Sequence, residues 1–256
     1  MSTWTLLGTD LALVVAAFSL AAVPSFRKKD PSYVDGLWGL GFVLVAVAAA
    51  VQTHGDTGRK ALLVGLTAVW GARLASYLFW RWRSKGPDPR YAQLVGADPT
   101  PARLWVKVFV LQALLLWLFA LPVQLGQLDD GGLTLLNVVG AVLAATGIVV
   151  ETVADSQVTA FKRDPAHEGQ VMDRGLWAWS RHPNYFGESL TWWGIALVAW
   201  HDGLTTVGLV GPAVLTLFLL TKSGIGPLER QLTTTKPGYA DYVARTSAFV
   251  PRPPRG

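Results

Sequence analysis

Ser180–Gly194, SRHPNYFGESLTWWG, is the stretch on which the fold turns. It gathers Arg181, His182, Asn184, Tyr185 and Glu188 within nine residues, then runs into an apolar, Trp-rich segment. If that segment, Glu188–Trp200, crosses a membrane, the chain has an odd number of spans and its ends lie on opposite sides. The segment is short for a span. What argues for it is the girdle of Trp192, Trp193 and Trp200, because amphipathic Trp rings favour membrane–water interfaces.

Outside this stretch the chain reads as a membrane protein throughout. Its 256 residues are 51% hydrophobic and 15% charged, with mean hydropathy +0.35 and 12 Trp. A soluble domain carries about a quarter charged residues. Six further runs approach the roughly 20 apolar residues a span needs: Leu6–Val23, Val34–Val51, Ala61–Trp80, Leu104–Leu121, Leu133–Ala154 and Leu204–Thr221. The first has no basic leader or small-residue cleavage site, so it reads as a retained helix. Turn-rich stretches such as GPDPRY, LPVQLGQLDDGG and HDG fall between the runs. The expectation is one all-α polytopic domain over residues 1–256 with about seven transmembrane helices. The absence of Cys excludes disulfides, thiol catalysis and Cys-based metal sites. The four His, at 54, 167, 182 and 201, are too dispersed to suggest a metal centre.

Basic residues give an orientation. The first, third and fifth loops and the C-terminal tail hold eighteen of the 22 Lys and Arg, from Arg27, Lys28 and Lys29 through to Lys222, Arg230 and Arg255. The other loops hold only Arg59 and Lys60. The positive-inside rule then puts the N-terminus outside and the C-terminus in the cytoplasm. Seven spans is the odd number this requires. The net charge of +5 is therefore a topology signal, and no basic soluble patch suggests a nucleic-acid partner. Ser180–Glu188 falls at the cytoplasmic entry to the sixth span.

Four polar groups stand out at that side. Pro183 suits the first position of a helix, where its missing N–H costs nothing. Asn184 and Glu188 then share one face, and Arg181 and Tyr185 an adjacent one. A Glu one turn into a span is a functional-site candidate, unless it caps its own helix or pairs with Arg181. Upstream, VVETVADSQVTAFKRD carries Glu151 and Asp155 four apart, then Lys162 and Arg163. These basic residues either snorkel to lipid phosphate or wall a pocket with the acids. In VWGARLASYLFWRWRSKGPDPRY, Arg73 lies deep in the third run with Tyr77 on its face, and an intramembrane Arg needs a carboxylate or phosphate. In DPSYVDGLWGLGF, Tyr33 and Asp35 open the second run, where Asp35 also suits the helix macrodipole. The tail GPLERQLTTTKPGYADYVARTSAFVP places Glu229, Tyr239 and Tyr242 in an amphipathic stretch that reads by default as an interfacial helix.

The segments SRHPNYFGE, ETVADSQ and KPGYADYVARTSAFVP resemble the steroid 5-alpha-reductase family, nearest to the bacterial branch filed as DUF1295. The likeness runs from VDGLWGLGF to the last Pro and is most specific in Asn184–Glu188. The shorter Arg-His-Pro-x-Tyr-x-Gly core is shared with isoprenylcysteine carboxyl methyltransferases. The resemblance implies a seven-helix domain in the bacterial cytoplasmic membrane, with NADPH bound on the cytoplasmic side by a cofactor half at about 145–256. It implies reduction of a carbon–carbon double bond conjugated to a carbonyl in an apolar, steroid- or lipid-like substrate. By motif match, Asn184, Tyr185, Glu188, Asp155 and Glu151 would hold the nicotinamide–ribose end. Lys162, Arg163 and Arg73 would meet the phosphates, and Arg181, His182, Glu229 and Tyr239 would complete the cofactor set. No GxGxxG follows a strand, so a dinucleotide site here is not a Rossmann one.

The family's substrate side uses a Glu of the second span and a Tyr of the third. Here the nearest acid is Asp35 and Trp70 stands at the Tyr position, which leaves Asp35, Tyr33 and Tyr77 as the groups that could polarise the carbonyl or supply a proton. Two other readings fit parts of the pattern: an S-adenosylmethionine-dependent methyltransferase of lipid or prenylated substrates, and a non-enzymatic lipid-binding membrane protein. Membrane lipids are partners in all three.

Overall fold

The computed structural model describes residues 1–96, 98–201, 203–221 and 225–254. Every regular element among them is helical. Of the basic residues that set the expected orientation, Lys222 and Arg255 lie outside the described residues, and so does the side chain of Arg230.

Among the described residues, six helices are long and apolar enough to cross a membrane. They are α1 (Thr3–Lys28), α2 (Val34–Gln52), α3 (Thr57–Lys85), a helix at Pro101–Phe119, one at Leu135–Arg163 and one at Gly203–Leu220. Each holds one of the six runs read outside the opening stretch, with no run overhanging its helix by more than two residues. Lipid offers no partner for backbone polar groups, so an apolar run of this length has little alternative to a helix. In chain order the remaining labels are α4 (Pro89–Val95), α5 (Pro101–Phe119), α6 (Leu121–Leu125), α7 (Leu135–Arg163), α8 (Pro183–Ala199), α9 (Gly203–Leu220), α10 (Ile225–Thr235) and α11 (Tyr239–Arg245). The seventh expected span is α8. Its 17 residues reach about 26 Å at 1.5 Å per residue, just under the usual length of a span. Among the described residues the protein is thus all-helical, with six membrane-length helices and the shorter apolar helix α8.

The chain forms two compact units, Met1–Val138 with Ile195–Gly211 and Val139–Gly194 with Pro212–Gly256. In the first, Phe42 of α2 lies edge-on to the fully buried Trp70 of α3 at 5.3 Å, and Trp38 lies edge-on to Phe42 and Phe119. Trp70, at the position where the resemblance expects a tyrosine, is therefore a core residue. α2 and α3 touch backbone to backbone at Gly39 and Gly71. A Cβ on Gly39 would lie 3.0 Å from the Gly71 carbonyl carbon and 3.1 Å from the Ala75 nitrogen.

The loop after α6 is fixed by Asp129. Its carboxylate pairs with Arg59, whose side chain is fully buried, and lies 3.3 Å from His201 Nδ1. The Gly131 N–H donates to Asp129 Oδ1 at 2.7 Å, and the Asp129 carbonyl accepts from Asp56 at 2.8 Å. Arg59 Nη2 donates to the Gly132 carbonyl at 3.3 Å.

Candidate functional site

In the second unit, α7 and α8 pack at backbone distance through Gly147 and Gly187. A Cβ on Gly187 would stand 2.6 Å from the Glu151 backbone nitrogen and 2.8 Å from the Gly147 carbonyl oxygen. Small residues at such crossings let helices approach closely. This approach sets the polar residues of the two helices side by side. Asn184, one turn before Glu188 on α8, donates from Nδ2 to Asp155 Oδ1 at 3.3 Å. Its own Oδ1 is buried and has no hydrogen-bond partner among the described residues. Glu151 and Asp155 are both buried, at 3% and 5% exposure.

Pro183 is the first residue of α8, so Arg181 and His182 precede the helix. Arg181 therefore does not share a helical face with Tyr185. It is His182 whose ring stacks on Tyr185, at 5.5 Å and 3° between planes. Nor does Arg181 depend on Glu188. Its Nε and Nη2 donate to the two oxygens of Glu229, at 2.7 and 3.2 Å, and Nη1 donates to the Val243 and Thr246 carbonyls. His182 Nε2 meets Glu229 Oε1 at 3.1 Å. An ionised carboxylate only accepts, so Nε2 carries the proton. Nδ1 of His182 is buried and has no hydrogen-bond partner among the described residues.

The tail supplies this geometry. The Tyr242 hydroxyl donates to the Trp177 carbonyl at 2.5 Å, Ser180 Oγ donates to Phe249 O at 2.8 Å, and the Arg181 N–H donates to Ser247 O at 2.8 Å. The amphipathic stretch is laced to residues 177–181.

Electrostatics follow the contacts. Burial would raise the Glu229 carboxyl, but the hydrogen bonds and charges of His182 and Arg181 outweigh it and hold it at about 2. Burial, with the Glu229 charge, pushes the Tyr239 phenol up to about 12. A carboxyl lowered from 4.5 to about 2 stabilises the fold fully above pH 4.5 and loses that contribution as pH falls toward 2. Melting of wild type and Glu229→Gln should therefore differ most above pH 4.5 and converge as pH falls toward 2. A gap that stays constant over this window would show that the Glu229 charge does not hold the tail.

Further along α7 lies a cavity of ≈ 550 Å³, walled by Lys162, Arg163, Arg181, His182 and Tyr239, with Phe161, His167, Trp177, Lys236 and Tyr242. Lys162, Arg163, Arg181, His182 and Tyr239 thus line one cavity. The other five were not foreseen as lining. The Trp177 indole N–H donates to Ala154 O at 3.0 Å, which ties this wall to α7.

The substrate-side residues belong to the first unit and are engaged separately. The Tyr33 hydroxyl donates to Ala21 O at 2.5 Å. Tyr77 stacks near Trp80, and its ring lies 5.7 Å from the Arg73 guanidinium carbon. Asp35 accepts from the Tyr91 hydroxyl at 2.5 Å and from Arg90 Nη2 at 3.1 Å. Tyr91 O in turn accepts from Gln112 Nε2 at 3.0 Å. Burial and then the Asp35 carboxylate push the Tyr91 phenol well above its ordinary value, so it stays a hydroxyl. Tyr91 was hidden in sequence because RWRSKGPDPRY reads as a basic, turn-rich loop. The one available signal was the Pro-Arg-Tyr start of α4.

The model of one protein family, described as "Protein of unknown function (DUF1295)", matches residues 21–246. No curated protein and no solved structure matches the chain.

Proposed function

The chain belongs to the DUF1295 family, and we propose that it is a membrane-embedded, NADPH-dependent reductase of a carbon–carbon double bond conjugated to a carbonyl in an apolar substrate. In this reading α8 is a seventh span, the N-terminus faces out, the C-terminus faces the cytoplasm, and the cofactor groups lie on the cytoplasmic side of a bacterial membrane.

The observation that supports it most is the Asn184 amide. Asp155 fixes its nitrogen end, and its buried Oδ1 is left to accept one hydrogen bond. A nicotinamide carboxamide N–H suits that acceptor. Glu188, one turn on, and Glu151 and Asp155 across the Gly147–Gly187 crossing offer further acceptors for a carboxamide and ribose hydroxyls. Lys162, Arg163 and Lys236 offer positive charge for pyrophosphate and 2′-phosphate. Arg73 keeps the phosphate role only as an expectation of the resemblance.

NADPH held by these residues would supply a hydride for the β carbon of the substrate, and a proton from solvent at the α carbon would complete the saturated product. The chain's part is to orient the nicotinamide and to polarise the carbonyl. For the second task the candidates are Asp35, Tyr33 and Tyr77, joined by Tyr91, whose hydroxyl donates to Asp35. An acid–tyrosine pair of this kind is what the resemblance calls for, with the tyrosine drawn from α4 and not from the third span.

Ligand protection tests the reading. NADPH at about 100 times its dissociation constant should add about 2.7 kcal/mol to the stability of the detergent-purified chain. NADH should protect less and S-adenosylmethionine not at all. Protection by S-adenosylmethionine without protection by NADPH would replace the reductase with a methyltransferase. Protection by neither would favour lipid binding without catalysis.

A further inference from the structure

Lys107 places a charge where a span usually has none. It lies about 9 Å inside the membrane-length helix α5 and is exposed on its outer face. Other exposed polar side chains on the long helices are satisfied within the protein. Ser76 Oγ donates to the Ala72 carbonyl at 2.7 Å, and Thr146 Oγ1 to the Val142 carbonyl at 2.8 Å. The Lys107 ammonium has no hydrogen-bond or ion-pair partner among the described residues.

An irregular turn puts it there. Trp105–Val110 is π-helical, a widened turn with i→i+5 hydrogen bonds. Leu104, Val108 and Phe109 are fully buried, so the widened turn leaves Trp105, Val106 and Lys107 consecutively exposed. Leu111 and Leu114 follow on the Lys107 face at helical spacing, and both are exposed as well.

The direction of the side chain follows from the packing of α5 on α1. Trp105 Nε1 donates to Ser19 Oγ at 2.8 Å, and Trp117 Nε1 to the Leu7 carbonyl at 2.9 Å, so the two helices are antiparallel. The start of α5 therefore lies toward the end of α1, where Arg27 and Lys28 are exposed. Helical side chains lean toward the helix N-terminus, and Lys107 thus reaches back to this basic end with its methylenes along apolar surface. The acids there are engaged. Asp98 pairs with Lys29, and Asp30 accepts from the Ser32 N–H at 2.9 Å and the Trp82 indole at 3.4 Å. A cation at this depth is costly without an anionic partner, and a lipid phosphate is the anion within its reach.

We propose that the exposed face of α5 at Lys107, Leu111 and Leu114 binds an anionic phospholipid. Its phosphodiester meets the Lys107 ammonium, its acyl chains lie along the two leucines, and its headgroup sits at the level that the Trp105 indole marks. A zwitterionic headgroup brings an ammonium of its own to a rim already carrying Arg27 and Lys28; an anionic one adds no such repulsion. The assignment does not depend on the reductase reading.

The test uses the full chain in detergent, titrated with phosphatidylglycerol or phosphatidylcholine of the same acyl chains, with bound lipid counted by native mass spectrometry. Wild type should hold phosphatidylglycerol more tightly than phosphatidylcholine. Lys107→Gln should weaken phosphatidylglycerol about fivefold, the share of one basic residue at an anionic surface, and change phosphatidylcholine little. Lys107→Arg should keep most of the preference. Lys85→Gln, which removes an exposed charge at the end of α3, should bind both lipids like wild type. Glycerol 3-phosphate carries the headgroup charge without acyl chains and should not compete. Equal binding of the two lipids by wild type overturns the proposal without recourse to any variant. So does a wild-type preference in Lys107→Gln. An equal loss in Lys85→Gln would reduce the effect to diffuse surface charge, and displacement by glycerol 3-phosphate would make the site one for soluble phosphates; either result removes the lipid site.

Discussion

Asp129→Asn should destabilise the chain by about 3–5 kcal/mol, the usual cost of removing one partner of a buried ion pair. Arg59 has a fully buried side chain and lies in the first turn of α3. Asp129 carries the charge that compensates it and stands against His201 as well. Asn keeps the shape and the acceptor for the Gly131 N–H but not the charge, so the cost isolates the electrostatic contribution. Asp130→Asn, at an exposed neighbouring position, is the control and should melt like wild type. The double variant Arg59→Met/Asp129→Asn should recover most of the loss, since no buried charge remains. If Asp129→Asn melts with the control, the pair is not what fixes the loop after α6.

The long helices were legible because lipid leaves an apolar run few choices, and the runs at Leu6–Val23 through Leu204–Thr221 fall within two residues of helices that an apolar count alone would find. The length of α8 was harder to read. Pro183 starts the helix ahead of the apolar run, so polar residues occupy its first turns. The faces of Asn184 and Glu188 followed from helical spacing, but their neighbours did not. Asp155 reaches Asn184 because two glycines let α7 and α8 meet at backbone distance, and nothing in the composition marks Gly147 and Gly187 as opposite one another. For Arg181 the sequence suggests Glu188 as a partner, as the alternative to a cofactor role for that acid. Its partner is Glu229, 48 residues away, because Arg181 precedes the helix and faces the tail. The tail itself looked amphipathic. Its attachment runs mainly through backbone carbonyls of Trp177, Val243, Thr246 and Phe249, which leave no trace in residue type. Tyr91 sits in a stretch that reads as a basic, turn-rich loop, and its partner Asp35 lies 56 positions earlier.

The central claim is that the Asn184–Glu188 turn of α8 holds the nicotinamide end of a dinucleotide. Glu188→Ala tests it most directly, because a cofactor ligand and a structural acid predict opposite results. The Arg181 guanidinium is already engaged on all its edges by Glu229 and the tail carbonyls, so removing Glu188 does not strand that charge. If Glu188 accepts from nicotinamide or ribose, its loss leaves ligand donors unpaired at a cost of ~1–3 kcal/mol of binding. Meanwhile the unliganded chain keeps or gains stability as a costly charge leaves the membrane region. Glu188→Gln, which retains one acceptor, should fall between. The measurement is the melting temperature of wild type and both variants in detergent, with and without saturating NADPH. The account predicts unchanged or higher melting without NADPH and a much smaller NADPH shift in Glu188→Ala. Early melting without NADPH, together with a full wild-type shift on adding it, would contradict the account and make Glu188 a structural residue.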